Sequence, residues 1–204
     1  MHSYIIVEKG SALNKAEKAL ILLHGRGATA EDILQLANYF PVENTYLAAP
    51  QATHNTWYPQ SFIAPEENNE PWLSSAIQVV ERLIEEVSRQ VPANKIYLMG
   101  FSQGACLSLE VAARNAKEYG GVAAFTGGLI GKHLKPERYN GNFEGTNIFI
   151  GTGDKDMHVP LLRVQDSVKI LQKLGASVHL EVYQNRPHTI TTDEIKKVNN
   201  LLFS

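Results

Sequence analysis

Short apolar runs alternate along the chain with longer segments in which apolar residues recur every third or fourth position. The runs are Tyr4–Val7, Ala19–Leu23, Thr45–Ala49, Lys95–Met99, Val122–Phe125 and Asn147–Ile150. All have the length of strands. A seventh, Val178–Tyr183, alternates apolar and polar residues as a half-exposed edge strand does. Between Leu73 and Val87, Ile77, Val80 and Ile84 are interleaved with Glu81, Arg82, Glu85 and Glu86. This spacing predicts an amphipathic helix, with Pro71 suited to its first turn. Thr29, with Asp32 three residues on, caps a helix predicted to run through Phe40 to a stop at Pro41. Pro160 opens a further helix and Gly175 follows its end. Thr191 and Glu194 form a capping box flanked by Ile190 and Ile195 at staple spacing, so the last helix starts there.

Repeated alternation of strand and helix predicts a mostly parallel sheet with helices on both faces. The 204 residues, 44% of them hydrophobic, suffice for one core, and the expected organisation is a single domain over 1–204. That length leaves little room for a separate cap domain, so an open site is expected. The formal charge of -2, without basic runs, argues against a nucleic-acid partner. One cysteine permits no intramolecular disulfide. The apolar stretch at Tyr4–Val7 is too short for a signal peptide, and no segment approaches the roughly 18 apolar residues of a membrane span. The default expectation is a cytoplasmic protein without stable membrane insertion; homodimerisation is compatible with the sequence.

The candidate chemistry centres on Gly100-Phe101-Ser102-Gln103-Gly104, a G-x-S-x-G pattern between the Lys95–Met99 strand and a helix predicted over Gln103–Tyr119. A sharp strand-to-helix turn presents such a serine at the carboxyl edge of a sheet, and the flanking glycines allow the backbone to approach closely. This context is that of the nucleophile in an α/β-hydrolase fold. The small residues Ala105, Ala112, Ala113 and Ala116 suit a helix packed closely on a sheet.

A serine hydroxyl needs a base, and the base needs an orienting acid. In this fold the chain order is serine, acid, histidine. His188 follows the last strand and precedes the capped final helix, the expected place for the base. His179 lies inside a strand and reads as a packing residue; His133 and His158 read as loop residues. Asp154 and Asp156 both follow the Asn147–Ile150 strand, and spacing alone does not choose between them. An oxyanion site needs two N–H donors. Gln103 supplies one and Arg26, in the loop His24-Gly25-Arg26-Gly27, supplies the other; the Arg26 side chain is expected to be solvated, with attraction of anionic substrates as the alternative. His24 is expected to brace that loop. Trp57 and Tyr58 are candidate substrate-binding residues, with Phe62 beside them; anchoring of their loop to the core is an equal alternative. Cys106 reads as a small buried residue.

These motifs, with Gly153-Asp154-Lys155-Asp156-Met157-His158-Val159-Pro160 and Pro187-His188, resemble in order and content the phospholipase/carboxylesterase family, which includes acyl-protein thioesterases. The resemblance implies an α/β-hydrolase fold and cleavage of a small acyl ester or thioester through an acyl-serine, with neither metal nor cofactor. It selects Asp156 over Asp154 as the acid, giving Ser102, Asp156 and His188. It leaves lysophospholipase, acyl-protein thioesterase and a non-catalytic binding role as alternatives. Many relatives have glycine where this chain has Pro187.

Overall fold

The computed structural model describes residues 1–204. Seven strands form one sheet: β1 (Ile6–Gly10), β2 (Lys18–Leu23), β3 (Thr45–Pro50), β4 (Ile96–Phe101), β5 (Gly121–Phe125), β6 (Asn147–Gly153) and β7 (Ser177–Tyr183). Their order is β1-β3-β2-β4-β5-β6-β7. Only β1 runs antiparallel to its neighbour. The central strands are buried on both sides, so they read as unbroken apolar runs. In β2, Ala19, Ile21 and Leu23 enter one core, and Leu20 and Leu22 enter the other.

Five helices cover the sheet: α1 (Ala30–Leu34), α2 (Trp72–Ser88), α3 (Gln103–Arg114), α4 (Leu161–Lys173) and α5 (Thr192–Leu202). The larger core lies under α2, α3 and α4, the smaller under α1 and α5. Along α2, Leu73, Ala76, Ile77, Val80, Leu83, Ile84 and Val87 are buried, the stripe expected from the sequence. Both capping boxes form, Thr29 with Asp32 and Thr191 with Glu194.

Three expectations change. The helix predicted through Phe40 is α-helical only to Leu34; Gln35–Tyr39 tightens into a 3-10 turn, with Phe40 N–H donating to Ala37 O at 3.1 Å. The helix predicted through Tyr119 ends at Arg114. Beyond it the chain bonds sideways, from Ala116 N–H to Asn140 O at 2.8 Å and from Tyr119 N–H to Thr146 Oγ1 at 2.9 Å. β7 is the edge strand, and Val178 and Leu180 face the core. His179 therefore lies on the outer face, exposed, where it meets Ser177 Oγ at 3.3 Å instead of packing.

The direction in which strands are added reverses at β2 and β4, which pair side by side, with Leu23 opposite Gly100. Loops leaving the carboxyl ends of two such strands diverge and open a crevice. The His24–Gly27 loop and the Ser102 turn border it. The loops after β6 and β7 reach the same sheet edge.

Candidate active site

Ser102 sits between β4 and α3 with φ 55° and ψ −117°. Few non-glycine residues adopt positive φ, and the surroundings must enforce it. Here Ser102 N–H donates to Phe125 O at 2.9 Å, and Ser102 O accepts from Cys106 N–H at 3.0 Å. The flanking glycines allow the tightness. A Cβ on Gly100 would lie 2.4 Å from Gly104 O, and one on Gly104 would lie 2.1 Å from Leu23 O. Neither site can hold a side chain without moving backbone.

The turn places Ser102 Oγ 2.7 Å from His188 Nε2, and His188 Nδ1 lies 2.6 Å from Asp156 Oδ2. The Asp156 side chain is only 1% exposed, and its other oxygen accepts from His158 N–H at 2.8 Å and Val159 N–H at 3.1 Å. Burial alone raises a carboxyl pKa. The bond to His188 and the two backbone donors outweigh it and hold Asp156 below the usual carboxylate range. Asp154 is turned elsewhere: its Oδ1 accepts from Asn185 N–H at 2.7 Å and braces the loop carrying His188. His158 is exposed, its ring 5.2 Å from that of His188. His133 makes none of these contacts.

Gln103 and Arg26 both line the cleft that holds Ser102, and neither main-chain N–H is used by a backbone acceptor. Gln103 is the first residue of α3, so its N–H has no acceptor one turn back in the helix. In the loop after β2, Gly27 N–H donates to Asn55 O at 2.7 Å and Ala28 N–H to Gly25 O at 3.2 Å, bonds that do not use Arg26 N–H. His24 braces this loop from within the core. Its Nε2 accepts from Ala52 N–H at 3.1 Å, which leaves Nδ1–H to donate to Gly25 O at 2.8 Å. Burial lowers its pKa and favours that neutral form.

The side chains of Arg26 and Gln103 do something the sequence did not disclose. Arg26 is exposed, as expected, yet its guanidinium also donates to the carbonyls of Tyr58 (2.9 Å), Pro59 (3.0 Å) and Gln60 (2.8 Å). Gln103 accepts from Trp57 N–H through Oε1 and donates to Tyr58 O through Nε2, both at 2.8 Å. Arg26 and Gln103 thus hold the neighbouring loop with their side chains. Acceptors that are backbone carbonyls thirty or more positions away leave no periodic mark in a sequence.

That loop bounds a cleft of about 710 Å³, within the size range of small-molecule sites. Tyr58, Phe62, Ile63, Cys106, Met157 and Val159 line it beside Ser102 and His188. Trp57 does not. It is fully buried beneath the loop, with Nε1–H donating to His24 O at 2.9 Å and its ring 5.0 Å from that of His24. Of the two aromatics expected at the substrate, only Tyr58 borders the cleft; an indole whose one donor is satisfied inside the core serves as an anchor. Cys106 is buried, and desolvation pushes its thiol pKa up to about 12, which keeps it protonated and unreactive. Met157, 92% exposed at the cleft mouth, was missed by the sequence reading, although its place between Asp156 and His158 would have suggested it. No group of His, Cys, Asp and Glu is arranged to hold a metal ion, and no helix is long and apolar enough to cross a membrane.

The chain is similar over its whole length to a crystal structure of a phospholipase/carboxylesterase from Dyadobacter fermentans. The two share 50% identity with a TM-score of 0.98 over 100% of this chain and 98% of that one. An acyl-protein thioesterase 1 from Debaryomyces hansenii is 31% identical over 61% of this chain, a match that takes in only 55% of that protein's own length. The acyl-protein thioesterase 1 of Saccharomyces cerevisiae is 24% identical over 93% of both chains. The family model described as phospholipase/carboxylesterase matches residues 4–203, and the chain belongs to that family of α/β-hydrolases.

Proposed function

We propose that the protein hydrolyses carboxylic esters or thioesters through an acyl intermediate on Ser102, with His188 as base and Asp156 as its orienting acid. The observation that carries this reading is the continuous chain from Ser102 Oγ through the His188 ring to Asp156 Oδ2, with links of 2.7 and 2.6 Å. Neutral His188 donates Nδ1–H to Asp156 and accepts from Ser102 O–H at Nε2. As Ser102 Oγ attacks the acyl carbonyl, its proton passes to Nε2. The resulting imidazolium is stabilised by an aspartate that its hydrogen bonds keep ionised. The main-chain N–H groups of Arg26 and Gln103 donate to the oxyanion, and the N-terminus of α3 adds its dipole. Collapse expels the alcohol or thiol, which takes the proton from Nε2. Water then attacks the acyl-serine with His188 again as base, releasing the acid and restoring Ser102.

The apolar part of the cleft, Phe62, Ile63, Cys106 and Val159, suits the acyl chain, and the open mouth at Met157 and His158 suits the leaving group. A protein that only bound ligands would have no use for the aligned serine, histidine and aspartate. Turnover of a series of p-nitrophenyl acyl esters, followed by acyl thioesters, tests the proposal and ranks chain lengths. Ser102→Ala is expected to abolish turnover while leaving the circular dichroism spectrum and Tm nearly unchanged. Retained turnover in that variant would overturn it.

A further inference from the structure

The loop between β7 and α5 carries His188, and two residues earlier it buries an arginine. The Arg186 side chain is 5% exposed, and the Glu194 side chain, with which Arg186 Nη1 is ion-paired, is fully buried. The other arm of the guanidinium, Nη2, donates to Thr126 Oγ1 at 3.0 Å, and its plane lies 4.8 Å from the Tyr183 ring centroid. Glu194 is itself fixed. The oxygen that meets Arg186 also accepts from Thr191 N–H at 2.8 Å and Thr191 Oγ1 at 3.1 Å, closing the α5 capping box. Its second oxygen lies against β6, where a Cβ on Gly151 would be 2.0 Å away. One guanidinium therefore ties the end of β5, the end of β7 and the start of α5 together. A capping box needs no buried arginine, and a turn on a protein surface does not ordinarily place one in the core.

We propose that Arg186 is a positioning residue for His188, acting through its paired contacts with Glu194 and Thr126. This rests on the reading of His188 as the base. Arg186 fixes the chain on one side of Pro187, whose ring restricts φ, and His188 follows directly. On the other flank, Asp154 Oδ1 holds Asn185 N–H at 2.7 Å, and Lys155 Nζ donates to Asn185 Oδ1 at 2.6 Å. The imidazole is thus aimed from a loop clamped at successive residues. Arginine suits the task because its rigid planar fork brings one arm against the Glu194 carboxylate while the other donates to Thr126 Oγ1. Pro187, with the buried Arg186 behind it, restricts the turn that carries His188.

The test compares kcat, KM and Tm for the wild type, Arg186→Lys and the double variant Arg186→Met/Glu194→Gln on one p-nitrophenyl ester. The double variant removes both buried charges together and keeps an acceptor for Thr191 N–H, which avoids stranding one ion. It is expected to fold and to lose about 10- to 100-fold in kcat per folded molecule, with KM within about threefold, because a misplaced base slows chemistry more than binding. Arg186→Lys, which keeps the charge but not the fork, is expected to fall between. A merely structural role would lower Tm and leave kcat of the folded fraction unchanged; that outcome in either variant overturns the proposal. If the double variant does not fold, Arg186→Lys decides by the same criterion. His188→Ala is the reference: its retained activity would refute the base assignment itself, whereas its inactivity beside fully active Arg186 variants would refute only the clamp.

Discussion

The Ser102 turn and the Thr56–Asn69 loop border the same cleft and are held in opposite ways. The turn is held by what is absent: glycines at 100 and 104 let β4, α3 and the end of β2 approach to distances that exclude a Cβ. The loop is held by what reaches in from elsewhere. Arg26 and Gln103 secure carbonyls and an amide of Trp57–Gln60, and Trp57 Nε1 pins it to His24 O. Asn69 bridges Gln60 N–H and Ser61 O at 2.8 and 3.0 Å, while Phe62 O accepts from Gly131 N–H at 2.7 Å. Backbone exclusion gives one conformation with little tolerance for change. A set of side-chain donors gives a conformation that loses strength one bond at a time. Ser102 lies on the first kind of support and the cleft wall on the second.

This contrast can be broken at several points, and the largest effect is expected at the acid. Asp156→Asn should reduce kcat on the order of 10⁴-fold, because the amide neither stabilises the imidazolium nor enforces the tautomer. Asp156 is held below the usual carboxylate range, so it stays ionised down through weakly acid pH. The stability it contributes is present above the unfolded-state pKa and is lost as pH falls through the lower folded value. The stability difference between wild type and Asp156→Asn should therefore persist from neutral pH down to about pH 5 and shrink only below it, measured by denaturant unfolding across that range. Gly104→Ala comes next. The methyl group would meet Leu23 O, and a loss of about 3 kcal/mol or more is expected in denaturant unfolding, with activity falling in the remaining folded protein.

On the loop side the effects should be graded. Gln103→Leu keeps the main-chain N–H but leaves the Trp57 N–H without its acceptor and Tyr58 O with Arg26 as its remaining donor. A drop of about 10- to 100-fold in kcat/KM is expected, with Tm also lowered. Trp57→Phe keeps one aromatic ring but removes the bond to His24 O and the rest of the buried indole. Unfolding should register about 1–3 kcal/mol, with kcat changed little. If Trp57→Phe instead abolished activity at unchanged Tm, the two supports would not be separable as described.

The Ser102 turn was legible because its cause is local: a strand, two glycines two residues either side of a serine, and a helix. The capping box at Thr191 was legible for the same reason. Distinguishing Asp156 from Asp154 was not possible from spacing, because both follow β6 and differ only in whether they meet His188 or Asn185 N–H. The family resemblance favoured Asp156, and that residue is the one 2.6 Å from His188. The fates of Trp57, Arg26 and Arg186 were illegible because each is decided by a distant partner: His24 O, the Tyr58–Gln60 carbonyls, and Thr126 Oγ1. The end of α3 at Arg114 was misread because Asn115–Tyr119 prefers lateral bonds to 140–146 that no helical propensity reports.

The central claim is that the Ser102 hydroxyl is activated by His188. Reaction with a fluorophosphonate, followed by peptide mapping, tests it most directly. One equivalent of label is expected on Ser102, with loss of labelling in Ser102→Ala and labelling slowed by about 10³-fold or more in a folded His188→Ala. Absence of label on Ser102 in the folded wild type, or equal labelling rates with and without His188, would contradict it.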